Sequence, residues 1–267
     1  MISLNTNLAA AYQASEKLSI GAAVTVGFGL AQLGTIGTTS SVHDIGLGGS
    51  IGATYAIGNG IMSSLTVKSP VRYNFKNILH NNQNIGVHQD LTLEQPLEII
   101  AGIALDDVLA DGLLVEADVI WKNWANAEAY QDVHDDQFLI ALGAQYKSGK
   151  WAYRAGYSFA ENMLLNETND TIGSFATIGR VPFTAEVVKT LQVSLLPVIW
   201  QHTITVGLGY NITETISMDA YAAYAFGEEY STGSLPLTAA EVGLESLELE
   251  AQVDYELMVG VGINLSL

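Results

Sequence analysis

The closing stretch of the chain, LELEAQVDYELMVGVGINLSL at residues 247–267, alternates between two kinds of side chain along its whole length. Leucine, valine, isoleucine, alanine and tyrosine hold every odd position, whereas acidic, amide, glycine, methionine and serine residues hold the even ones. Successive side chains of a β-strand point to opposite faces, so this period of two predicts a strand with one apolar and one polar face. A strand of about 9–11 residues crosses a membrane, and this stretch is longer than that.

The same alternation recurs along nearly the whole chain. Counting the closing stretch, we predict eleven strands, the others lying near residues 2–13, 18–30, 44–57, 61–75, 91–105, 113–124, 137–147, 150–160, 201–212 and 215–226. The connections alternate as well, short ones at 15–17, 58–60, 106–112, 147–149 and 213–214 and long ones at 31–43, 76–89, 125–135, 161–200 and 227–245. Short periplasmic turns and long extracellular loops are typical of outer-membrane barrels.

Composition favours the same class of protein. The chain of 267 residues is 49% hydrophobic and 14% charged, which excludes a disordered protein, and its net charge of −18 argues against nucleic acid as a partner. The apolar run near 195–200 is too short for a membrane-spanning helix and contains Pro197. The absence of cysteine excludes a disulfide framework.

A soluble β-sandwich or a lipocalin-like barrel is the alternative, with the apolar face turned inward. Strand length argues against it, and so do aromatic residues near the strand ends, which we expect to form two interfacial girdles. These residues are Tyr55, Tyr73, Phe75, Trp121, Trp124, Tyr146, Trp151, Tyr153, Tyr210, Tyr224 and Phe226.

An odd number of strands conflicts with the even number in a complete bacterial barrel. The first predicted strand would begin on the extracellular side, and residues 1–13 lack the basic start and apolar core of a signal peptide. We therefore expect residues 1–267 to form one transmembrane β-barrel domain that is truncated at its N-terminus.

Several motifs, taken in order, resemble the outer-membrane long-chain fatty acid transporters, the FadL family with its toluene-uptake relatives. They are SPVRYNF at 69–75, LEQPLE at 93–98, VIWKNW at 119–124, FLIALGAQY at 138–146, WAYRAGY at 151–157 and LPVIWQHTITVGLGY at 196–210, in which Gln201 stands where a first histidine is common. The resemblance covers about 200 residues. It implies an all-β fold, a transmembrane antiparallel barrel with about eleven of fourteen strands present and without the family's N-terminal hatch.

The resemblance also implies passive uptake of hydrophobic compounds, long-chain fatty acids first, across a bacterial outer membrane. The segments 31–43 and 76–89, which match the family's ligand-collecting loops, are short here. The kinked strand through which the family releases its ligand would lie among the absent strands. The remaining alternative is a general porin-like or purely structural barrel, suggested by the acidic, polar face of the strands.

The long connection 161–200 carries many apolar residues, and its part from Thr184 to Leu195 has helical spacing. One hypothesis is that it folds over the barrel mouth and binds the apolar part of a ligand; the alternative is a cap that only packs on itself. The candidate contacts are Phe175, Phe183, Val187, Leu191, Leu195 and Trp200.

Few basic residues fall on the polar face of the strands: Lys68, Arg72, Lys122 and Arg154. A fatty-acid carboxylate in the lumen would need such a partner, and Arg72 and Arg154 are the candidates. The alternative is that the four brace the barrel by pairing with the more numerous acids Glu94, Glu98, Glu116, Asp118 and Asp219.

The loop residues Asp132, His134, Asp135 and Asp136 suggest either a solvated loop or, as a third function, a cation site or hydrolytic pair of a surface hydrolase. We find no nucleophile–base arrangement and no metal-ligand spacing elsewhere. We therefore predict no catalytic residues, no metal and no cofactor. The expected partners are a hydrophobic small molecule, either a long-chain fatty acid or an aromatic hydrocarbon, together with outer-membrane lipid and lipopolysaccharide around a monomeric barrel.

Overall fold

The computed structural model describes residues 2–35, 38–80, 88–164, 175–178, 181–195 and 200–265. Eleven strands form one antiparallel sheet, which we call the wall, and they lie side by side in chain order. The wall strands are β1 (Ile2–Gln13), β2 (Leu18–Thr35), β3 (Thr38–Gly58), β4 (Ile61–Lys68), β7 (Glu98–Asp106), β8 (Leu113–Lys122), β9 (Gln137–Ser148), β10 (Trp151–Ala160), β13 (His202–Asn211), β14 (Ile216–Ser231) and β15 (Glu250–Leu265). The predicted all-β class, the antiparallel arrangement and the count of eleven strands are confirmed.

Each wall strand pairs with the one that precedes it in the wall, and short turns join the strands at one end of the sheet. The turn between β3 and β4 shows why: Asn59 and Gly60 have φ values of 53° and 78°. This left-handed conformation suits asparagine and glycine and reverses the chain in the fewest residues. The wall is an open sheet, because its edge strands β1 and β15 do not pair with each other in the part of the chain that the structure describes.

The two faces of the wall differ as the alternation predicts. Large apolar side chains on one face, which we call the outer face, are strongly exposed, including Val24 at 58%, Leu47 at 68% and Val206 at 59%. The opposite, inner face carries glycines, hydroxyl groups and charged residues. Exposed apolar side chains on a continuous face are what a lipid-facing wall presents.

Two of the predicted strands are shorter in the wall than expected, and each is interrupted at a proline. The sequence predicts single strands at 61–75 and 91–105, but β4 ends at Lys68 and β7 begins at Glu98. Pro70 and Pro96 lack the N–H group that would continue the ladder. Between them, β5 (Val71–His80) and β6 (His88–Gln95) pair only with each other, in a separate two-stranded sheet that we call the inner hairpin.

The inner hairpin contains the largest buried apolar cluster of the described residues. Its members are Val71, Tyr73, Phe75, Ile78 and Leu91, which pack with Ala31 and Ala129. Tyr73 and Phe75 are 0% exposed, so the prediction that they belong to an interfacial girdle is wrong. The alternation continued past Pro70 in sequence, but the strand that carries it leaves the wall.

The predicted long loops contain more regular structure than expected. Strands β2 and β3 stay paired to Thr35 and Thr38, so 31–43 is mostly a strand hairpin and not a loop. The connection 161–200 contains β11 (Phe175–Ile178), β12 (Val181–Thr184) and helix α1 (Ala185–Leu195), and 227–245 contains the end of β14 and helix α2 (Pro236–Glu241). A 3-10 turn at Trp124–Asn126 follows β8.

No helix among the described residues has the length and apolarity needed to cross a membrane.

Candidate functional site

The long connections meet at one end of the wall, which we call the mouth. Helix α1 packs against several of the other segments at the mouth. It begins where β12 ends, and Thr184 accepts a hydrogen bond from the backbone N–H of Val187 at 3.4 Å through its hydroxyl oxygen. This is the arrangement of an N-cap residue, and Glu186 in the first turn is favourable at that end of the helix dipole.

One side of α1 is buried against two other connections. Val188 is 1% exposed and packs with Val133 and Phe183. Val193 packs in a second cluster with Leu164 and Tyr230, the latter near the end of β14. The helix therefore joins the segments that follow β8 and β10 and the end of β14 into one unit, which we call the cap.

Glu186 ties this cap to α2. Its carboxylate accepts hydrogen bonds from the backbone N–H groups of Leu237 (2.8 Å) and Thr238 (2.7 Å) and from the Thr238 hydroxyl (2.8 Å). Burial raises the pKa of Glu186, but these hydrogen bonds outweigh burial and hold the pKa below its ordinary value. The charged form therefore holds the cap together at neutral pH.

A cluster of buried polar groups lies under α1. His134 is 2% exposed; its ring stacks on Tyr130 with centroids 4.9 Å apart and meets Trp124 edge-on at 5.5 Å. Gln192 of α1 is 4% exposed and donates a hydrogen bond to the Val133 carbonyl at 3.1 Å. Both ring nitrogens of His134, Trp124 Nε1 and Gln192 Oε1 have no hydrogen-bond partner among the described residues.

The surroundings of residues 132–136 distinguish a structural loop from a cation site or a hydrolytic pair. His134 faces aromatic rings, and burial lowers its pKa to about 4. Asp136 accepts hydrogen bonds from Asn123 Nδ2 at 3.0 Å and from the backbone N–H of Ala125 at 3.1 Å, so it orders the chain after β8. Across the described ranges, no group of three or more His, Asp or Glu residues could hold a metal ion. The arrangement favours a structural role over a hydrolytic pair.

The six apolar candidates of the connection 161–200 are placed as follows. Phe183 is partly buried against Val133 and Val188, whereas Val187 is 41% exposed on the opposite side of α1. Trp200 is partly buried just before β13. Phe175 lies in β11 and Leu191 and Leu195 lie in α1, but their side chains are outside the described part of the structure.

The basic candidates are all paired with acids. Arg154 on β10 donates to Asp219 on β14 at 2.6 Å and to Gln145 on β9 at 2.7 Å. The ion pair crosses β13 at Gly209, where an added Cβ would lie 2.7 Å from Asp219 Oδ1 and 3.0 Å from Arg154 Nη1. Arg72 donates to Glu94 at 2.5 Å, and it lies on the inner hairpin and not on the wall where its parity placed it.

The two lysines share one acid. Lys68, Glu98 and Lys122 are neighbours in register on β4, β7 and β8. The Glu98 carboxylate lies 3.1 Å from the Lys68 ammonium and 3.7 Å from that of Lys122. Lys68, Lys122 and Arg154 thus pair with acids across wall strands, which is the bracing alternative, whereas Arg72 pairs within the inner hairpin.

One apolar groove of about 600 Å³ lies away from the mouth, across β1 to β4. Its larger side chains, Tyr12, Ile20, Ile51, Leu65 and Val67, belong to the outer face of the wall. The groove therefore faces the surroundings of the sheet and not its interior.

The sequence pattern predicted neither the inner hairpin nor the buried state of His134. The available signal for the hairpin was the pair Pro70 and Pro96, one on each side of a 25-residue stretch in the middle of two predicted strands. For His134 the signal was the presence of two aromatic residues shortly before it, Trp124 and Tyr130.

Comparison with solved structures found several transporters and channels for hydrophobic compounds among the similar chains. The chain is similar to the Pseudomonas putida toluene transporter TodX (14% identity over 99% of this chain and 69% of that one, TM-score 0.58). It is similar to a Pseudomonas aeruginosa FadL homologue (13% identity, 98% and 66%, TM-score 0.64). It is also similar to the monoaromatic hydrocarbon channel CymD (18% identity, 99% and 73%, TM-score 0.57).

A scan of protein-family models and a search of curated proteins each found no match. The chain spans about two thirds of the length of the transporters to which it is similar. The resemblance that the sequence motifs suggested is confirmed at the level of architecture. This chain has the fold of the FadL-type and toluene-transporter β-barrels.

Proposed function

We propose that the chain forms the wall and mouth of an outer-membrane conduit for passive uptake of hydrophobic compounds. The observation that carries the proposal is the wall itself: eleven strands with an apolar, exposed outer face, in a fold otherwise found in toluene and hydrocarbon transporters. We further propose that it lies in the bacterial outer membrane as a monomeric domain, in contact with lipid and lipopolysaccharide, and that it catalyses no reaction.

Long-chain fatty acids and aromatic hydrocarbons are the proposed ligands. Support comes from the cap, because Val187 of α1 is exposed. Phe183, which is partly buried against Val133 and Val188, is a further proposed contact. Phe175, Leu191, Leu195 and Trp200 complete the proposed apolar contact surface. For a fatty acid we propose Arg72 and Arg154 as carboxylate partners, each of which would exchange its present acid, Glu94 or Asp219, for the ligand.

A porin-like channel is the second candidate, since the inner face of the wall carries ion pairs and glycines. The two functions separate in a Gram-negative host that lacks its own hydrophobic-compound transporter, because lipopolysaccharide slows the entry of free lipophiles. We expect the full chain to raise the uptake of radiolabelled oleate or toluene without raising that of sucrose. Sucrose entry without uptake of either lipophile contradicts the transporter proposal and favours the porin.

A further inference from the structure

The inner hairpin is an insertion into the wall and not part of it. Lys68 and Glu98 are direct register partners on β4 and β7, although they are 30 positions apart in the chain. The ladder between β4 and β7 runs from Ile61 to Lys68 without a contribution from β5 or β6. The wall therefore needs nothing from residues 69–97 to stay continuous.

The hairpin lies on the inner face of β2 and β3, and glycines make the close approach possible. An added Cβ would lie 2.7 Å from Tyr73 Cδ1 at Gly29, 2.6 Å from Val71 Cγ1 at Gly46 and 2.6 Å from Val71 Cγ2 at Gly48. These distances are shorter than a carbon–carbon van der Waals contact. The side chains of Val71 and Tyr73 thus pack directly on the backbone at these three glycines.

Polar contacts fix the hairpin at the same place. The Tyr73 hydroxyl donates to Asn5 Oδ1 on β1 at 3.2 Å, and Asp44 on β3 accepts the backbone N–H of Asn74 at 2.6 Å. Tyr73 is fully buried although it belongs to neither wall nor cap. Apolar burial, glycine fit and hydrogen bonds together indicate a fixed position.

The other edge of the hairpin reaches the segment after β8. The backbone N–H of Glu94 donates to the Glu128 carbonyl at 3.3 Å, and Ala129 packs in the hairpin's apolar cluster. In the wall, β4 and β7 lie between β3 and β8. At about 4.8 Å per strand, the hairpin therefore spans roughly 14 Å of the inner side of the wall.

We propose that the inner hairpin is a resident plug that keeps small hydrophilic solutes out of the conduit. This inference rests on the proposed function, in which a glycine-lined barrel admits lipophiles without becoming an aqueous pore. A wide barrel whose interior is not filled is a water-filled channel. The hairpin fills the inner side next to β1–β3 and confines the path to the space bounded by the remaining strands.

The placement is tested by cross-linking, for which the chain is suited because it has no cysteine. The variant Gly46→Cys/Val71→Cys brings two Cβ atoms within disulfide reach, since an added Cβ at 46 already touches a methyl group of Val71. The matched control Ile45→Cys/Val71→Cys places the first cysteine on the outer face. We expect protection from a thiol reagent after denaturation in the first variant only, and equal labelling of both overturns the placement.

The exclusion of solutes is tested by replacing residues 69–97 with an Asn-Gly turn between Lys68 and Glu98. We expect sucrose permeability to rise by about tenfold or more, because an unfilled wide barrel conducts water-soluble molecules. Parental permeability in a replacement variant that still migrates as a folded barrel overturns the plug.

A point variant covers the case in which the replacement does not fold. Gly48→Ala introduces a Cβ against Val71 and should raise sucrose entry, and Val71→Ala added to it should restore exclusion. Absence of either effect overturns the plug. Uptake of oleate and toluene by the parent tests the proposed function separately. If the parent takes up lipophiles but the replacement variant still excludes sucrose, only the plug is refuted. If the replacement variant admits sucrose but the parent takes up neither lipophile, only the transport proposal is refuted.

Discussion

The Glu186 carboxylate accepts two hydrogen bonds from Thr238, one from its backbone N–H at 2.7 Å and one from its hydroxyl at 2.8 Å. The two residues are 52 positions apart and belong to different connections of the mouth. Together they make α1 and α2 one structural unit. A cap built in this way opens only when bonds between connections break, and not through the movement of a single loop.

Replacing Glu186 with Ala should therefore loosen the cap. Loss of a helix-capping carboxylate costs about 1 kcal/mol, so the segments around α1 and α2 should be cleaved faster by protease added to intact cells. Glu245→Ala is the matched control, because Glu245 is an exposed acid in the segment after α2. Equal cleavage of the two variants would show that Glu186 does not hold the cap.

The pKa of Glu186 gives this bond a pH dependence. Because its pKa is lowered in the folded protein, the stabilisation is present at neutral pH and is lost only as the pH falls through that lowered value. The protease resistance that distinguishes the parent from Glu186→Ala should thus disappear in strong acid. A difference that persists after the carboxylate is protonated would contradict the assignment.

His134 should make the cap sensitive to milder acid. Its pKa falls from 6.5 to about 4 because the ring is buried, so the unfolded cap binds a proton more readily than the folded one. Stability is complete above about pH 6.5 and declines towards pH 4, by at most about 3 kcal/mol. In NMR of histidine-labelled protein, the imidazole whose signal is absent from His134→Phe should still be neutral at pH 5.5.

The variant His134→Phe also provides the stability test. Phenylalanine keeps the ring contacts with Tyr130 and Trp124 but cannot be protonated. Protease resistance of the cap should then change little between pH 6.5 and pH 4.5, the range in which the parent weakens. His202→Phe is the control, since His202 lies on β13 and bonds to Tyr157; acid sensitivity that vanishes there and not at His134 would contradict the argument.

The sequence predicted the features of the fold that depend on neighbouring residues, and not those that depend on contacts distant in the chain. Alternation within each strand predicted the wall, because successive side chains of a strand point to opposite faces and the two faces of the wall differ in polarity. The path of residues 71–95 was not predictable in this way. Tyr73 keeps the alternation of β4, and its contacts with Gly29 and Asn5 lie 44 and 68 positions away in the chain.

The mouth was predicted in part. Helical spacing in 184–195 indicated α1, which the structure contains at Ala185–Leu195. Its partners were not predicted, since Val133 and Leu237 come from other connections that carry no pattern of their own. Ion pairing was one of two predicted alternatives, because basic residues are few and acids are many. Which acid pairs with which base depends on strand register, which places Glu98 between Lys68 and Lys122.

The pairing of Arg154 predicts how the inner face responds to charge removal. Asp219→Asn should cost less than about 1 kcal/mol of unfolding free energy, because both side chains are partly exposed. It should also release the guanidinium for a ligand carboxylate, so uptake of oleate should rise while uptake of neutral toluene stays constant. Arg154→Gln is the converse control; if Asp219→Asn leaves oleate and toluene uptake unchanged, Arg154 serves only as a brace.

Adjacent residues of α1 separate ligand contact from cap packing. Val187 is 41% exposed, whereas Val188 is 1% exposed and packs on Val133. Val188→Ser buries a hydroxyl and leaves a cavity, and it should destabilise the cap by about 2–3 kcal/mol with faster proteolysis. Val187→Ser should leave proteolysis unchanged and lower lipophile uptake about twofold or more, because it removes apolar surface from the mouth. Unchanged uptake in Val187→Ser, with a folded barrel and an intact cap, would show that α1 only packs against its neighbours.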